Sequence, residues 1–229
     1  MLAKLFKRGG NRLDTLTIIT KALPTLVKGL VVTIQVTSIS LVLALLIGLV
    51  AGLMRISQNA ILRYIATSYI YLIRGTPLLI QILFIYFGLP TAFGFKLSAF
   101  TAGIIAVSIN AGAYLVEIFR AGIESIDRGQ MEAGRSLGFT YGQTMRLIIL
   151  PQAVKRMIPA FVNQFIISLK DTSLLSVIGI AELTMQGQSI YAMNFRAFEI
   201  LSAVATLYFV IILLLTLFSS WLERRLATP

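Results

Sequence analysis

Long apolar runs with few polar positions are the main pattern along this chain. Five such runs occur, at residues 29–54, 64–90, 97–119, 157–191 and 199–222, and a polar cluster interrupts the fourth. Each holds about 20 or more mostly uncharged residues, the length of a helix that crosses a hydrocarbon core of ~30 Å. The runs lack the alternation of barrel strands. The pattern therefore predicts an all-α integral membrane protein with about five transmembrane helices.

Composition supports this prediction and excludes several kinds of site. Of 229 residues, 57% are hydrophobic and 13% are charged, and the mean hydropathy is +0.88. Soluble domains contain about 45–50% apolar residues. The chain has no cysteine and no histidine, which excludes a disulfide framework, a zinc-type site and a Cys or His nucleophile. We expect no metal in this chain.

No internal repeat or low-complexity segment divides the chain, so we expect one transmembrane domain over residues 29–225, preceded by a basic N-terminal tail at residues 1–28. A polar stretch follows the basic start where a signal peptide would have an apolar segment, so the first span is expected to be retained. Gly48 and Gly52 form a G-x-x-x-G pattern in that span, which favours a close helix contact.

Basic residues indicate the orientation of the spans, because they are retained on the cytoplasmic side. With the N-terminus outside, ten lie in cytoplasmic segments: Arg55, Arg63, Arg120, Arg128, Arg135, Arg146, Lys155, Arg156, Arg224 and Arg225. Only Lys96 and Arg196 lie in outer loops. The tail opposes this orientation with Lys4, Lys7, Arg8, Arg12, Lys21 and Lys28. We follow the majority and expect part of the tail to lie along the membrane surface as an amphipathic segment.

Residues 120–156 form a charged cytoplasmic loop in this orientation. The residue pattern predicts a short helix over 132–137 that ends at Gly138, where a residue without a Cβ can adopt a left-handed conformation. A second amphipathic helix is predicted over 141–150, stopped by Pro151. Two short helices that meet at a glycine form a compact polar protrusion suited to docking a soluble partner, although a solvated connection has the same composition.

Spacing within this loop resembles a known motif. Glu132, Ala133, Gly138, Ile148, Leu150 and Pro151 match the pattern E-A-A-x3-G-x9-I-x-L-P of the permease subunits of bacterial ABC importers. Gly134 replaces the second alanine, which weakens a helix by up to ~1 kcal/mol. The segments at 72–90, 113–138 and 168–183, among them "LIRGTPLLIQILFIYFGLP" and "SLKDTSLLSVIGIAEL", resemble the polar amino acid branch of that family. The resemblance covers about residues 25–225.

The resemblance implies a type I importer permease fold in a bacterial inner membrane, with the N-terminus outside. It also implies a permease dimer, two cytoplasmic ATPase subunits and an extracytoplasmic substrate-binding protein. The chain lacks a G-x-x-x-x-G-K-[ST] loop, so ATP and Mg are expected on the partner ATPase. This chain itself is then expected to bind no cofactor and to have no enzymatic activity. By the same resemblance, the short helix of the loop docks on that ATPase, with a coupling surface made of Glu132, Ala133, Gly134, Arg135 and Gly138.

Lys170, Asp171 and Thr172 form the strongest candidate for solute binding, because apolar residues flank them on both sides. A charge at that depth must face a cavity or a partner. Adjacent helix positions do not face one another, so Lys170 and Asp171 are expected to have separate partners, such as the carboxylate and ammonium of a zwitterion. A mutual ion pair or a structural pivot are the alternatives.

Four further residues are candidates for the solute path. Asn163 and Gln164 lie about two turns before Lys170 and either line the path or hydrogen-bond between helices. Glu117 either reads an ammonium group, as the resemblance suggests, or pairs with Arg120 one turn later. Arg74 either contacts a carboxylate or belongs to a kink made by Gly75 and Pro77.

Three functions are compatible with these observations. The first is a permease subunit of an ATP-driven importer for polar, including basic, amino acids. The second is an ion-coupled secondary transporter with Lys170 and Asp171 as a relay, against which the lack of an internal repeat argues. The third is an assembly subunit whose paired permease carries the solute site. The identity of the amino acid and the choice between homodimer and heterodimer remain open at this stage.

Overall fold

The computed structural model describes residues 12–226, which are almost wholly helical and contain no strand. The helices are α1 (Arg12–Arg55), α2 (Ala60–Arg74), α3 (Leu78–Leu83), α4 (Leu89–Phe93), α5 (Ala99–Glu124), α6 (Arg128–Ser136), α7 (Tyr141–Thr144), α8 (Leu150–Asp171), α9 (Leu183–Asn194) and α10 (Ala197–Leu226). Two π-helical turns, Phe84–Gly88 and Met145–Ile149, join α3 to α4 and α7 to α8, and a 3-10 helix, Thr172–Ile178, follows α8. The predicted all-α class is confirmed.

Three of these helices are long and apolar enough to cross a membrane by themselves: Asp14–Arg55, Ala99–Glu124 and Ala197–Arg225. The predicted second span is instead a pair of segments, Ala60–Arg74 and Leu78–Phe93, bent by 108° across residues 75–77. The predicted fourth span is not one helix either, because α8 ends at Asp171 and a 3-10 helix separates it from α9. By length and composition the described residues thus provide three spans, or four with the bent pair, where the apolar runs predict five.

Helix α1 is longer than a membrane crossing requires. Its 44 residues extend about 66 Å, roughly twice the thickness of a hydrocarbon core. Residues 12–28, predicted as a tail, are helical and continuous with the first span, while residues 1–11 lie outside the described part of the chain. The location of this segment at the membrane surface stays a prediction.

The centre of the molecule is the contact between α1 and α5. Gly48 makes this contact close, because a Cβ added there would lie 2.9 Å from Leu115 Cβ and 3.2 Å from the carbonyl oxygen of Gly112. A Cβ at Gly52 would meet nothing within 4 Å, so only the first glycine of the G-x-x-x-G pattern makes a contact within the described chain. In the apolar stretch of α5, 67% of the residues are buried, whereas in that of α10 only 17% are. Helix α5 is therefore central and α10 peripheral.

The predicted short helix of the charged loop is confirmed and lies within α6. Asp127 caps its start by accepting a hydrogen bond from the Gly129 N–H at 2.7 Å. At its end the Phe139 N–H donates to the Gly134 carbonyl at 3.2 Å and the Gly138 N–H donates to the Arg135 carbonyl at 3.1 Å. These are the two bonds of a Schellman motif, which requires the left-handed backbone that Gly138 supplies at φ 87°.

The second helix of the loop begins at Tyr141, as predicted, after a capping box formed by Thr140 and Gln143. The prediction that Pro151 stops it is wrong, because the chain continues through the π-helical turn into α8. In that turn the Leu150 N–H bonds to the Met145 carbonyl, five residues back. Pro151 follows directly, at the start of α8. The missing N–H of the proline thus falls where the hydrogen-bond register changes, and the helix tolerates it.

Candidate functional site

A cavity of about 530 Å³ lies between α5 and α8, the two helices on either side of the charged loop. Its wall brings together three of the predicted residues, Glu117, Asn163 and Gln164, and adds Arg156. Most of the other lining groups are apolar or small. A cavity with a few polar groups in an apolar wall is the usual form of a small-molecule site.

Glu117 is the centre of an ion-pair network that joins three helices. Its Oε1 accepts a hydrogen bond from Arg55 Nη1 at the end of α1. Its Oε2 accepts from Arg120 Nε and Nη2 at 3.0 and 2.9 Å. Arg74 Nη1, at the end of α2, lies 3.9 Å from Oε1, and Arg120 also pairs with Glu124. The spacing predicts the Arg120 pair but neither of the contacts from α1 and α2.

Arg74 is the least committed guanidinium of this network. It is 3.9 Å from a carboxylate oxygen that already accepts a bond from Arg55, and 43% of its side chain is exposed. Its guanidinium carbon lies 5.4 Å from the centre of the Tyr114 ring, a cation–π distance. Arg74 is thus available to an anionic group while Arg55 and Arg120 hold Glu117.

Charge within the network is not balanced. Three guanidiniums face two carboxylates, Glu117 and Glu124, which leaves one positive charge in excess. Arg156 adds another positive charge to the cavity wall, where its Nη1 donates to the Ser125 carbonyl. The site therefore favours an anionic or zwitterionic group, and its carboxylate is already compensated.

Asn163 and Gln164 differ in their surroundings although both line the cavity. Asn163 is exposed, whereas Gln164 is buried and donates from Nε2 to Ser168 Oγ at 3.3 Å on the same helix. Within the part of the chain that the structure describes, neither makes a hydrogen bond to another helix. The interhelical alternative therefore has no support here.

Lys170, Asp171 and Thr172 lie outside the cavity, at the end of α8. Lys170 is exposed and Asp171 half-buried, and among residues 14–225 neither side chain is within 4 Å of an oppositely charged group. Thr172 is fully buried, and its hydroxyl donates to the Leu169 carbonyl at 2.7 Å. The structure thus does not bring this cluster to Glu117.

The predicted coupling residues lie together on the protrusion formed by α6 and α7. Glu132, Ala133, Arg135 and Gly138 are exposed. Gly134 is buried against α7, and a Cβ there would lie 2.5 Å from Thr144 Cγ2. The large apolar side chains of Leu137, Tyr141 and Leu147 are also exposed nearby, at 77%, 63% and 60%. An exposed apolar patch beside charged residues is typical of a protein–protein interface.

Two sets of polar residues escape the sequence prediction. Glu182 is fully buried, and its carboxylate accepts from the Thr184 and Met185 N–H groups and from the Tyr208 hydroxyl at 2.7–2.9 Å. Gln81 and Asn110 are buried at the bend between α2 and α3. Each is a lone polar residue in an apolar run, and that signal was present in the sequence.

Comparison with known proteins places this arrangement in a family. Residues 44–228 match the model of the binding-protein-dependent transport system inner membrane component. The chain is 48% identical to the glutamine transport system permease protein GlnP of Escherichia coli, over 90% of this chain and 94% of that protein. It is 37% identical to the arginine transport system permease protein ArtQ of Bacillus subtilis, over 89% and 93%.

Solved structures agree with this placement. A chain in the crystal structure of an amino acid ABC transporter with histidines is 44% identical and superimposes with a TM-score of 0.87, over 90% of this chain and 96% of that one. A chain of the inward-facing MetNI methionine ABC transporter, 20% identical with a TM-score of 0.75 over 90% and 98%, shows the same fold. The chain therefore belongs to the family of inner-membrane components of binding-protein-dependent transport systems.

Proposed function

We propose that this chain is the permease subunit of an ATP-driven importer of polar amino acids. One observation carries the proposal: the exposed protrusion is packed on the same two helices that line the cavity. Met131 of α6 and Met145 of the π-helical turn pack on a cluster that contains Ile126, Ile149 and Met157, and Met157 lines the cavity. A force applied to the protrusion thus reaches the cavity wall through continuous packing. The relatives named for glutamine and arginine transport support an amino acid as the solute.

We propose a neutral amino acid, such as glutamine, as the preferred solute. Arg74, which lies beside the cavity-lining residues Tyr114 and Glu117, is available to the α-carboxylate. Asn163 and Gln164 in the cavity wall offer amides to a polar side chain. Glu117 is held by Arg55 and Arg120. A basic amino acid would have to displace one of those arginines, which disfavours arginine or lysine. Lys170 and Asp171 are proposed as a second pair of contacts, further along the path from the cavity.

The partners follow from the same proposal. ATP and Mg bind a separate ATPase, which contacts the coupling surface of Glu132, Ala133, Gly134, Arg135 and Gly138. An extracytoplasmic binding protein delivers the solute, and a second permease subunit, identical or related, completes the path. The N-terminus lies outside, and the charged loop and C-terminus are cytoplasmic. Exposure of four of these residues, Glu132, Ala133, Arg135 and Gly138, and of the nearby apolar side chains supports the ATPase contact.

Co-purification tests the coupling surface. The tagged chain is extracted mildly from its native membranes, and the proteins that accompany it are identified. We expect an ATP-binding subunit with the wild type and its loss with Glu132→Arg or Gly138→Leu. Glu223→Arg is the matched control, because Glu223 is an exposed acid outside the protrusion. No ATPase with the wild type, even after cross-linking, would contradict the proposal.

Uptake by the purified complex in proteoliposomes tests the energy source and the solute. We expect glutamine uptake that requires ATP and the binding protein, that persists after ionophores collapse the ion gradients, and that excess arginine inhibits only weakly. Uptake that stops when the gradients collapse and ignores ATP would favour the ion-coupled carrier. Normal uptake by a complex in which Arg74 and Glu117 are both replaced by alanine would instead place the solute site in the paired subunit.

A further inference from the structure

The bend between α2 and α3 leaves a backbone acceptor without its helical donor. Pro77 has no N–H, so the carbonyl of Ile73, four residues earlier, cannot receive the usual helical bond. The Gln81 side chain supplies the bond instead, with Nε2 at 2.8 Å from the Ile73 oxygen. The same nitrogen lies 3.1 Å from the Thr76 carbonyl and 2.9 Å from Thr76 Oγ1. One amide thus closes the bend from inside.

Asn110 ties this closed bend to the central helix. Its Nδ2 donates to Gln81 Oε1 at 3.0 Å, and the two side chains are only 8% and 9% exposed. Burying two amides among apolar side chains is unfavourable unless both are hydrogen-bonded; here Asn110 donates to Gln81, and Gln81 donates to the carbonyls of the bend. The bend is therefore fixed relative to α5 by a specific polar contact in addition to apolar packing.

The same face of α5 contacts Arg74. Asn110, Tyr114 and Glu117 are spaced i, i+4 and i+7, so they form one stripe along the helix. Asn110 bonds to Gln81, Tyr114 lies under the Arg74 guanidinium at 5.4 Å, and Glu117 faces it at 3.9 Å. Of the three guanidiniums around Glu117, only that of Arg74 comes from the bent segment. Its position therefore depends on the geometry of the bend.

We infer that Gln81 and Asn110 are positioning residues, which hold the bend so that Arg74 lies against Tyr114 and Glu117, two residues of the cavity wall. They do not contact the cavity themselves, since neither lines it. Apart from this role, the pair could only complete the backbone bonding of the bend. A purely structural role predicts that loss of the pair lowers stability alone. A positioning role predicts that it also weakens solute binding, and that this effect requires Arg74.

Spin-label distances test the geometry without any reference to transport. The chain has no cysteine, so labels can be placed at Tyr71→Cys on α2 and Phe93→Cys on α4, both 74% exposed. The labelled chain is diluted with unlabelled chain to avoid distances between subunits. We expect one narrow distance in the parent protein and a broadened or shifted one in Gln81→Leu. We expect no change in Gln186→Leu, which removes a half-buried amide that donates to the Ala181 carbonyl, away from the bend. An unchanged distribution in Gln81→Leu would overturn the inference.

Solute binding tests the consequence, and this second readout rests on the proposed function. The dissociation constant for radiolabelled glutamine is measured on the detergent-purified complex without the binding protein. Gln81→Leu should weaken binding about two- to tenfold, the effect of one lost hydrogen bond, and should have no further effect in an Arg74→Ala background. Equal effects in both backgrounds would overturn the positioning role. Asn110→Ala replaces Gln81→Leu in both experiments if the latter does not accumulate.

The two experiments separate failure of the inference from failure of the proposed function. If the wild-type complex binds no glutamine while the spin-label distance broadens as expected, the solute assignment is wrong and the bend mechanism stands. If glutamine binds and the distance is unchanged, the solute assignment stands and the positioning role is refuted.

Discussion

Gly134 lies in close contact with Thr144 within the protrusion. Its missing side chain lets α6 approach Thr144, which is fully buried and bonds through its hydroxyl to the Thr140 carbonyl at 3.1 Å. The sequence presents Gly134 only as a departure from the family pattern that weakens a helix. The structure gives the position a steric reason, because alanine would place a methyl group inside the contact radius of Thr144.

Substitution of Gly134 should reverse the ordinary order of helix propensity. We expect Gly134→Ala to lower the thermal unfolding temperature of the purified protein, because its Cβ would lie 2.5 Å from Thr144 Cγ2. Gly142→Ala, in α7 with open space around it, should leave that temperature unchanged or raise it, since alanine is favoured over glycine by up to ~1 kcal/mol. Thr144→Ser should recover part of the loss in Gly134→Ala. Equal gains at both glycines would contradict the steric account.

The sequence predicts contacts between residues close together in the chain, but not contacts between distant segments. Glu117 and Arg120 are three positions apart, so helical spacing reveals their pair. Arg55 and Arg74 reach the same carboxylate from 62 and 43 positions away, and one sequence contains no rule that connects them. Glu182 differs from these residues, because its signal is local. A single acid between apolar residues is a candidate buried helix cap, and Glu182 is the N-cap of α9.

Helices were predicted well where a single local signal, such as apolar length or a helix-ending glycine, determines them. Apolar length located α1, α5 and α10, the glycine signal located the end of α6, and the amphipathic pattern located the start of α7. The prediction that Pro151 ends the second loop helix was wrong, because a π-helical turn shifts the hydrogen-bond register immediately before it. In that turn Met145 and Ile149 pack in the cluster that also contains Met131 of α6, and one sequence does not reveal such contacts.

The contact between α1 and α5 gives a paired test of one element interface. We expect Gly48→Ala to destabilise the protein by about 1–3 kcal/mol, the usual cost of overpacking, because its Cβ would be 2.9 Å from Leu115 Cβ and would press on α5 backbone. Gly52→Ala should be neutral or stabilising, as nothing lies within 4 Å of the added methyl group. Unfolding in denaturant measures both. A loss at Gly52 as large as that at Gly48 would instead indicate that a second subunit packs there.

The whole molecule has a charge distribution that the proposed orientation must satisfy. Ten arginines and lysines lie in the segments assigned to the cytoplasm and two in the outer loops, while the basic tail opposes this assignment. The length of α1 removes part of the conflict. Because α1 extends about 66 Å, its first turns can lie beyond the hydrocarbon core, where Lys21 and Lys28 reach the headgroups instead of lipid tails.

Accessibility of single cysteines decides the orientation, since the chain has none of its own. In intact spheroplasts we expect a membrane-impermeant maleimide to label Asp14→Cys and Lys96→Cys. Ser136→Cys on the protrusion and Glu223→Cys on α10 should be labelled only after the membrane is permeabilised. All four positions are exposed, so burial does not explain a failure to react.

The position of Asp14 relative to Ser136 is the decisive comparison. Labelling of Asp14→Cys from outside would mean that the ten-to-two distribution of the loops overrides the basic tail, as expected when charges near several spans act together. If Asp14→Cys reacts only after permeabilisation, as Ser136→Cys does, an even number of membrane crossings must lie between them. The bent α2–α3–α4 segment would then be re-entrant, because it alone of the segments between those positions turns back, by 108°, instead of continuing as a straight helix.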